Sequence, residues 1–126
     1  MAKEKSLYKK LKNQMKQSKI VRVETWVNKG VPDCLIGLKG GWFLVELKVA
    51  TKTGKLRFSP HQISFHKKHE DLLCFIVAAS DDLKNMNVYH AKRILELNQF
   101  GLNSIPDLKG SLNGTNLENW LISLID

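Results

Sequence analysis

A chain of 126 residues with 43% apolar side chains is long enough for one domain with a real core and needs no second one. Twenty Lys and Arg against twelve Asp and Glu give a formal charge of +8 and an isoelectric point near 9.6. That balance favours a polyanionic partner, nucleic acid first, although basicity for solubility alone is an equal competitor. No stretch approaches bilayer-spanning length, the first ten residues lack the apolar segment of a secretory leader, and Cys34 and Cys74 lie in apolar runs without a CxxC spacing. A membrane span, a zinc site and a disulfide framework are therefore not expected, and a cytoplasmic location is.

Leu7, Leu11 and Met15 recur at helical spacing over residues 5–17, with Lys9, Lys10, Lys12 and Lys16 on the remaining circumference. This is an amphipathic helix whose basic face is either solvated or, through Lys9, Lys12 and Lys16, in contact with DNA. Residues 20–27, IVRVETWV, read as a strand. Glu24 inside it needs a partner or a wet edge, because burying a lone carboxylate is costly. It is read as a further acid near a metal, with an exposed pairing to a lysine as the alternative.

Asn28-Lys29-Gly30 interrupts the pattern, and Pro32 fixes the backbone just before Asp33, as at the open end of a strand. Two apolar runs follow, Asp33–Leu38 and Trp42–Val49, separated by the hairpin signal Lys39-Gly40-Gly41. With Gly40-Gly41 as a two-residue turn, Lys39 faces Trp42 and Asp33 falls opposite Lys48. Side chains alternate with period two, so Asp33, Glu46 and Lys48 share one face, while Phe43, Val45, Leu47 and Val49 form the apolar one. Two converging carboxylates repel, and one protonates unless a cation lies between them. Oxygen ligands of this kind suit magnesium or manganese, and Lys48 is a point charge able to hold a phosphate oxygen or an attacking water. The set is equipment for metal-assisted cleavage of a phosphodiester.

Residues 51–58, TKTGKLRF, form a basic loop in which Lys52, Lys55 and Arg57 suit a mobile contact to a phosphate backbone, plain solvation being the alternative. Ser59 as N-cap, Pro60 at the first helical position and Gln62 as capping-box partner start a helix to about residue 70. Gln62 could also reach toward the acids. His61, His66 and His69 fit no metal-ligand spacing and read as helix-surface or groove residues, with His61 among the DNA contacts. Leu72–Ala79 is a strand covered on both faces, Ser80-Asp81-Asp82 a turn, Met86–Tyr89 a short strand and residues 91–97 a helix. Residues 98–116 are rich in Asn, Gly, Ser and Pro and read as loop. Leu117, Trp120, Leu121, Leu124 and Ile125 then mark a last helix, whose apolar stripe must be buried on its own domain or against a second copy. A mixed sheet between helices follows from this order.

GVPD at 30–33, FLVELK at 43–48 and SPHQ at 59–62 together resemble the PD-(D/E)XK nuclease superfamily, most of all the small stand-alone, phage-type form of its VRR-NUC branch. The match runs from Arg22 to His66, about a third of the chain. The resemblance implies an α/β, restriction-endonuclease-like mixed β-sheet flanked by helices in the order α-β-β-β-α-β-β-α with a C-terminal helix. It would occupy residues 1–126 as a single nuclease domain, with a core over about 5–97 and residues 98–126 as a loop and helix available for dimerisation. By position, Asp33 and Glu46 would bind Mg2+ or Mn2+ with the Leu47 carbonyl, Lys48 would be the catalytic lysine, and Gln62 the helix-borne glutamine. Glu24 is carried as a further catalytic acid; an additional acid in this superfamily can instead come from the first helix, which offers only Glu4. Small members of the branch are linked with Holliday-junction cleavage as homodimers, in the host cytoplasm where they are phage-encoded. The expectation is thus a metal-dependent DNA endonuclease selective for junction or other branched DNA. Against it stand a non-catalytic nucleic-acid-binding module on the same fold, which has no reason to keep the two acids and the lysine, and a basic scaffold protein for a replication complex.

Overall fold

The computed structural model describes residues 2–23 and 32–125, so Glu24 and the second half of the strand expected over 20–27 lie outside the described residues. The elements run α1 (Ala2–Gln14), β1 (Lys19–Arg22), β2 (Cys34–Leu38), β3 (Gly41–Val49), α2 (Pro60–Lys68), β4 (Cys74–Ala79), β5 (Asn85–His90), α3 (Ile94–Phe100), β6 (Leu108–Ser111) and α4 (Gly114–Ile125). The six strands form one sheet in sequence order. β3 and β4 are parallel and every other neighbouring pair is antiparallel. The parallel pair exists because α2 returns the chain between β3 and β4, a strand–helix–strand connection that a tight turn could not make. The fold is therefore the α/β mixed sheet flanked by helices that the sequence leads one to expect, consistent with a restriction-endonuclease-like arrangement.

Both faces are covered. On one, Leu7 and Leu11 of α1, Met15 just after it, and Leu117 and Leu121 of α4 pack on Phe43, Val45, Leu47, Phe75 and Val77. On the other, Ile76, Ala78 and Tyr89 meet Ile94 and Leu97 of α3, with Phe58 and Ile63 packed beside them. β4 is buried at all six positions, as its unbroken apolar run requires. Leu117 and Leu121 of the α4 stripe are thus buried on their own domain, Trp120 and Ile125 are half-buried, and Leu124 is exposed. Glu118 supports the same packing, accepting hydrogen bonds from Gln17 N at 2.9 Å and Ser18 Oγ at 2.6 Å.

Two expectations need correction. Gly41 pairs with Leu38 and Trp42 with Gly37, so the turn residues are Lys39 and Gly40, not Gly40 and Gly41. Both have positive φ, 44° and 82°, which a two-residue hairpin turn of this hand demands. Gly41 is needed in the strand instead, because a Cβ there would lie 3.0 Å from Ile125 Cδ1 of α4. Continuing the register puts Asp33 opposite Glu46 rather than Lys48. The pairing moves by two positions, so the shared face of Asp33, Glu46 and Lys48 is preserved. Second, residues 98–116 are not all loop: Leu108–Ser111 is a sixth strand on the sheet edge, antiparallel to β5. Lys109, Gly110 and Ser111 are exposed, which is why no apolar alternation announces it.

Candidate active site

Asp33 precedes β2, and its Oδ2 accepts a hydrogen bond from Leu47 N at 2.8 Å, which turns the carboxylate across the hairpin onto β3. Its backbone carbonyl accepts from Val23 N at 2.8 Å, tying the end of β1 to the same point. Glu46 on β3 is 1% exposed. Burial pushes its carboxyl up to about 10; the adjacent Asp33 carboxyl adds to the rise and Lys48 opposes it. Burial therefore favours the protonated form of Glu46 when no cation is bound.

The next turn of chain brings the remaining groups. Ser59 caps α2: its Oγ accepts from Gln62 N at 3.1 Å, and Gln62 Oε1 accepts from Ser59 N at 3.0 Å, a complete capping box. The same Oε1 accepts from Lys48 Nζ at 3.0 Å, and Gln62 Nε2 donates to Glu46 Oε2 at 3.3 Å. One amide thus joins helix cap, lysine and acid. Lys48 Nζ also lies 5.2 Å from the centre of the Phe58 ring, which shields one side of the ammonium.

Beside Lys48 opens a cleft of about 550 Å³ lined by Lys3, Glu4, Thr51, Lys55 and Arg57. Lys48, Lys55 and Arg57 line it with Lys3, whose ammonium is paired with Asp81, against the one lining carboxylate of Glu4, so the cleft favours a polyanion. The basic loop that carries Lys55 and Arg57 is a hydrogen-bonded turn: Thr51 N donates to Lys55 O, Gly54 N to Thr51 O and Leu102 N to Gly54 O, each at 2.9 Å.

Of the residues singled out in the sequence, Asp33, Glu46, Lys48 and Gln62 are brought together, and Lys55 and Arg57 border them. The Leu47 side chain is buried on the opposite face, so only its backbone is turned toward the acids. Lys52 lines a different pocket with Asp81 and Asp82. Lys9 and Lys12 are exposed along α1 and Lys16 in the turn after it, with Lys12 Nζ 5.8 Å from the Tyr8 ring centre, and His61 is exposed in the first turn of α2. His66 is not a surface or groove residue: it is fully buried, with Nε2 3.9 Å from Glu46 Oε1. Lys3 and Glu4 were missed as lining residues, because the apolar spacing starts α1 only at residue 5. Glu4 is close enough to contribute to the rise at Glu46.

Among the described residues no group of three or more His, Cys, Asp and Glu is disposed to hold a metal ion. Two carboxylates nonetheless suit magnesium, which keeps several waters and relies on one or two carboxylates plus phosphate oxygens of a substrate. Glu46 Oε1 fits such a role, being a buried oxygen with no hydrogen-bond partner. Buried polar atoms are rarely left so; Oε1 faces the equally unpartnered His66 Nε2, and a carboxylate oxygen has lone pairs enough to accept from that side and still meet a cation. Neither a family model nor a curated protein matches the chain. Among the described residues, no helix is long and apolar enough to cross a membrane.

Proposed function

We propose that the chain is a magnesium- or manganese-dependent endodeoxyribonuclease of the PD-(D/E)XK, VRR-NUC kind, hydrolysing phosphodiester bonds in four-way junctions or other branched DNA as a homodimer. The observation that carries this reading is the hydrogen-bonded set of Glu46, Gln62 and Lys48, with Asp33 anchored on the Leu47 backbone beside it. Asp33 and Glu46, with the Leu47 carbonyl, would hold the cation. Such an ion, when bound, polarises a phosphoryl oxygen and acidifies water.

Lys48 is the cation of the set: held by Gln62 Oε1, it would stabilise charge developing on the phosphate and position the attacking water. Gln62 keeps Lys48 and Glu46 at a fixed separation, so the positive and acidic groups do not collapse onto one another. Phe58 excludes water from one side of the lysine. Lys3, Lys55 and Arg57 bind flanking phosphates along the cleft. Two copies of so small a chain supply the two cuts that a symmetric junction needs.

A non-catalytic binding module on this fold would account for the basic cleft, but not for a buried acid with an unpartnered oxygen beside a positioned lysine. The test is a panel of junction, flap, duplex and single-stranded DNA, incubated with Mg2+ or Mn2+ and with chelator. Metal-dependent cutting of a branched substrate is expected, and Lys48→Ala should lower the rate about 10²-fold or more. Tight binding without cutting on every substrate would favour the binding module.

A further inference from the structure

We propose that His66 is a positioning residue for Glu46, holding its carboxylate from the buried side while the Cys74 thiol fixes which imidazole nitrogen carries the proton. This rests on the reading of Glu46 as a cation-binding acid. Gln62 and His66 stand four residues apart on α2 and so share one helix face. Gln62 Nε2 donates to Glu46 Oε2, and His66 Nε2 faces Glu46 Oε1 at 3.9 Å. The two oxygens of one carboxylate are thus addressed by one face of one helix. Glu46 Oε1 and His66 Nε2 are both buried side-chain atoms without a hydrogen-bond partner, and they face each other.

The other imidazole nitrogen decides the role. Cys74 Sγ lies 3.4 Å from His66 Nδ1, and both residues are fully buried. Burial, with Glu46 adding, pushes the Cys74 thiol up to about 12, so it keeps its proton and has one to donate to Nδ1, the direction the proposal assigns to the contact. A neutral imidazole with Nδ1 accepting carries its hydrogen on Nε2. Nε2 is then a donor aimed at Oε1, not a metal ligand. The gap is roughly 1 Å longer than a normal N–H···O contact. At 3.9 Å the two atoms face each other without a hydrogen bond, and a small shift of either side chain would close the contact. Histidine–carboxylate pairing of this sort orients a ligand and stabilises its ionised form.

Two measurements on the full chain test it. Nitrogen-15 correlation spectra without metal at neutral pH should show His66 protonated on Nε2; protonation on Nδ1 overturns the proposal. In calorimetric titration with Mn2+ alone, His66→Leu should weaken binding by about 10- to 100-fold, whereas His66→Gln, which keeps an N–H near the Nε2 position, should stay within a few-fold of wild type. Thermal melting confirms that both variants fold. Equal loss in both variants makes His66 a direct ligand and overturns the positioning role; Mn2+ affinity unchanged in His66→Leu reduces it to packing. Wild-type protein that takes up no Mn2+ contradicts the metal reading itself, and the spectra judge the His66–Cys74 tautomer independently of it.

Discussion

Glu46 sets the acid–base behaviour of the metal-free chain. Its ordinary value of 4.5 rises to about 10 on folding, so the folded state keeps a proton that the unfolded state releases above 4.5. Stability from this group is full below about pH 4.5 and is lost as pH rises toward 10. His66 works the other way: burial, with His69 and Lys48 adding, lowers it from 6.5 to about 4. Its contribution to stability therefore grows as pH rises from 4 to 6.5. The two oppose one another in mild acid, and above pH 6.5 the decline from Glu46 is unopposed by His66. Chemical denaturation across pH 6.5–9 without metal should show stability falling, and Glu46→Gln should flatten that fall. Cation binding should also release about one proton, read as a dependence of calorimetric heat on the buffer used. The convergence of Asp33, Glu46 and Lys48 was legible in the sequence because strand parity survives a turn displaced by one residue. Gln62 was legible from its capping box. His66 was not, because a histidine four residues after Gln62 looks the same whether its helix face meets water or the top of β4.

The connection between β3 and α2 holds the site's outer wall, and its anchor lies far along the chain. Gly101, just after α3, has φ of 57°, and a Cβ there would come within 2.2 Å of Gly54 O. Leu102 N donates to that same carbonyl. Gly101→Ala should therefore cost about 1–3 kcal/mol from the backbone alone and displace the turn carrying Lys55 and Arg57. Thermal melting reads the first effect and DNA affinity the second; an alanine variant of wild-type stability and affinity would show that the contact is not needed. Nothing local in TKTGKLRF announces this brace, since its partner, Gly101 and Leu102, lies far along the chain in a segment that reads as loop. The sixth strand was hidden for a related reason: an edge strand with one half-buried leucine has no period to read. The central strands, α1, α2 and α4 were legible because their apolar spacing is regular and long.

At the scale of the whole molecule, the +8 charge does not decide the partner; its distribution carries the argument. Lys3, Lys48, Lys55 and Arg57 border one cleft, so DNA bound there should show a steep dependence of log affinity on log salt. Lys55→Ala and Arg57→Ala should each reduce that slope by about 1, whatever the DNA sequence. Fluorescence anisotropy over a salt series checks this, and unchanged slopes would place the nucleic acid on another face. The central claim is that Asp33, Glu46 and Lys48 form a cation-dependent phosphodiester-cleaving site. Its most direct test is single-turnover cleavage of a labelled four-way junction at saturating protein with Mg2+. The account predicts that wild type cuts, that chelator stops it, and that Asp33→Ala and Lys48→Ala bind the junction but lose cutting. Cutting that persists in either variant, or in chelator, would contradict it.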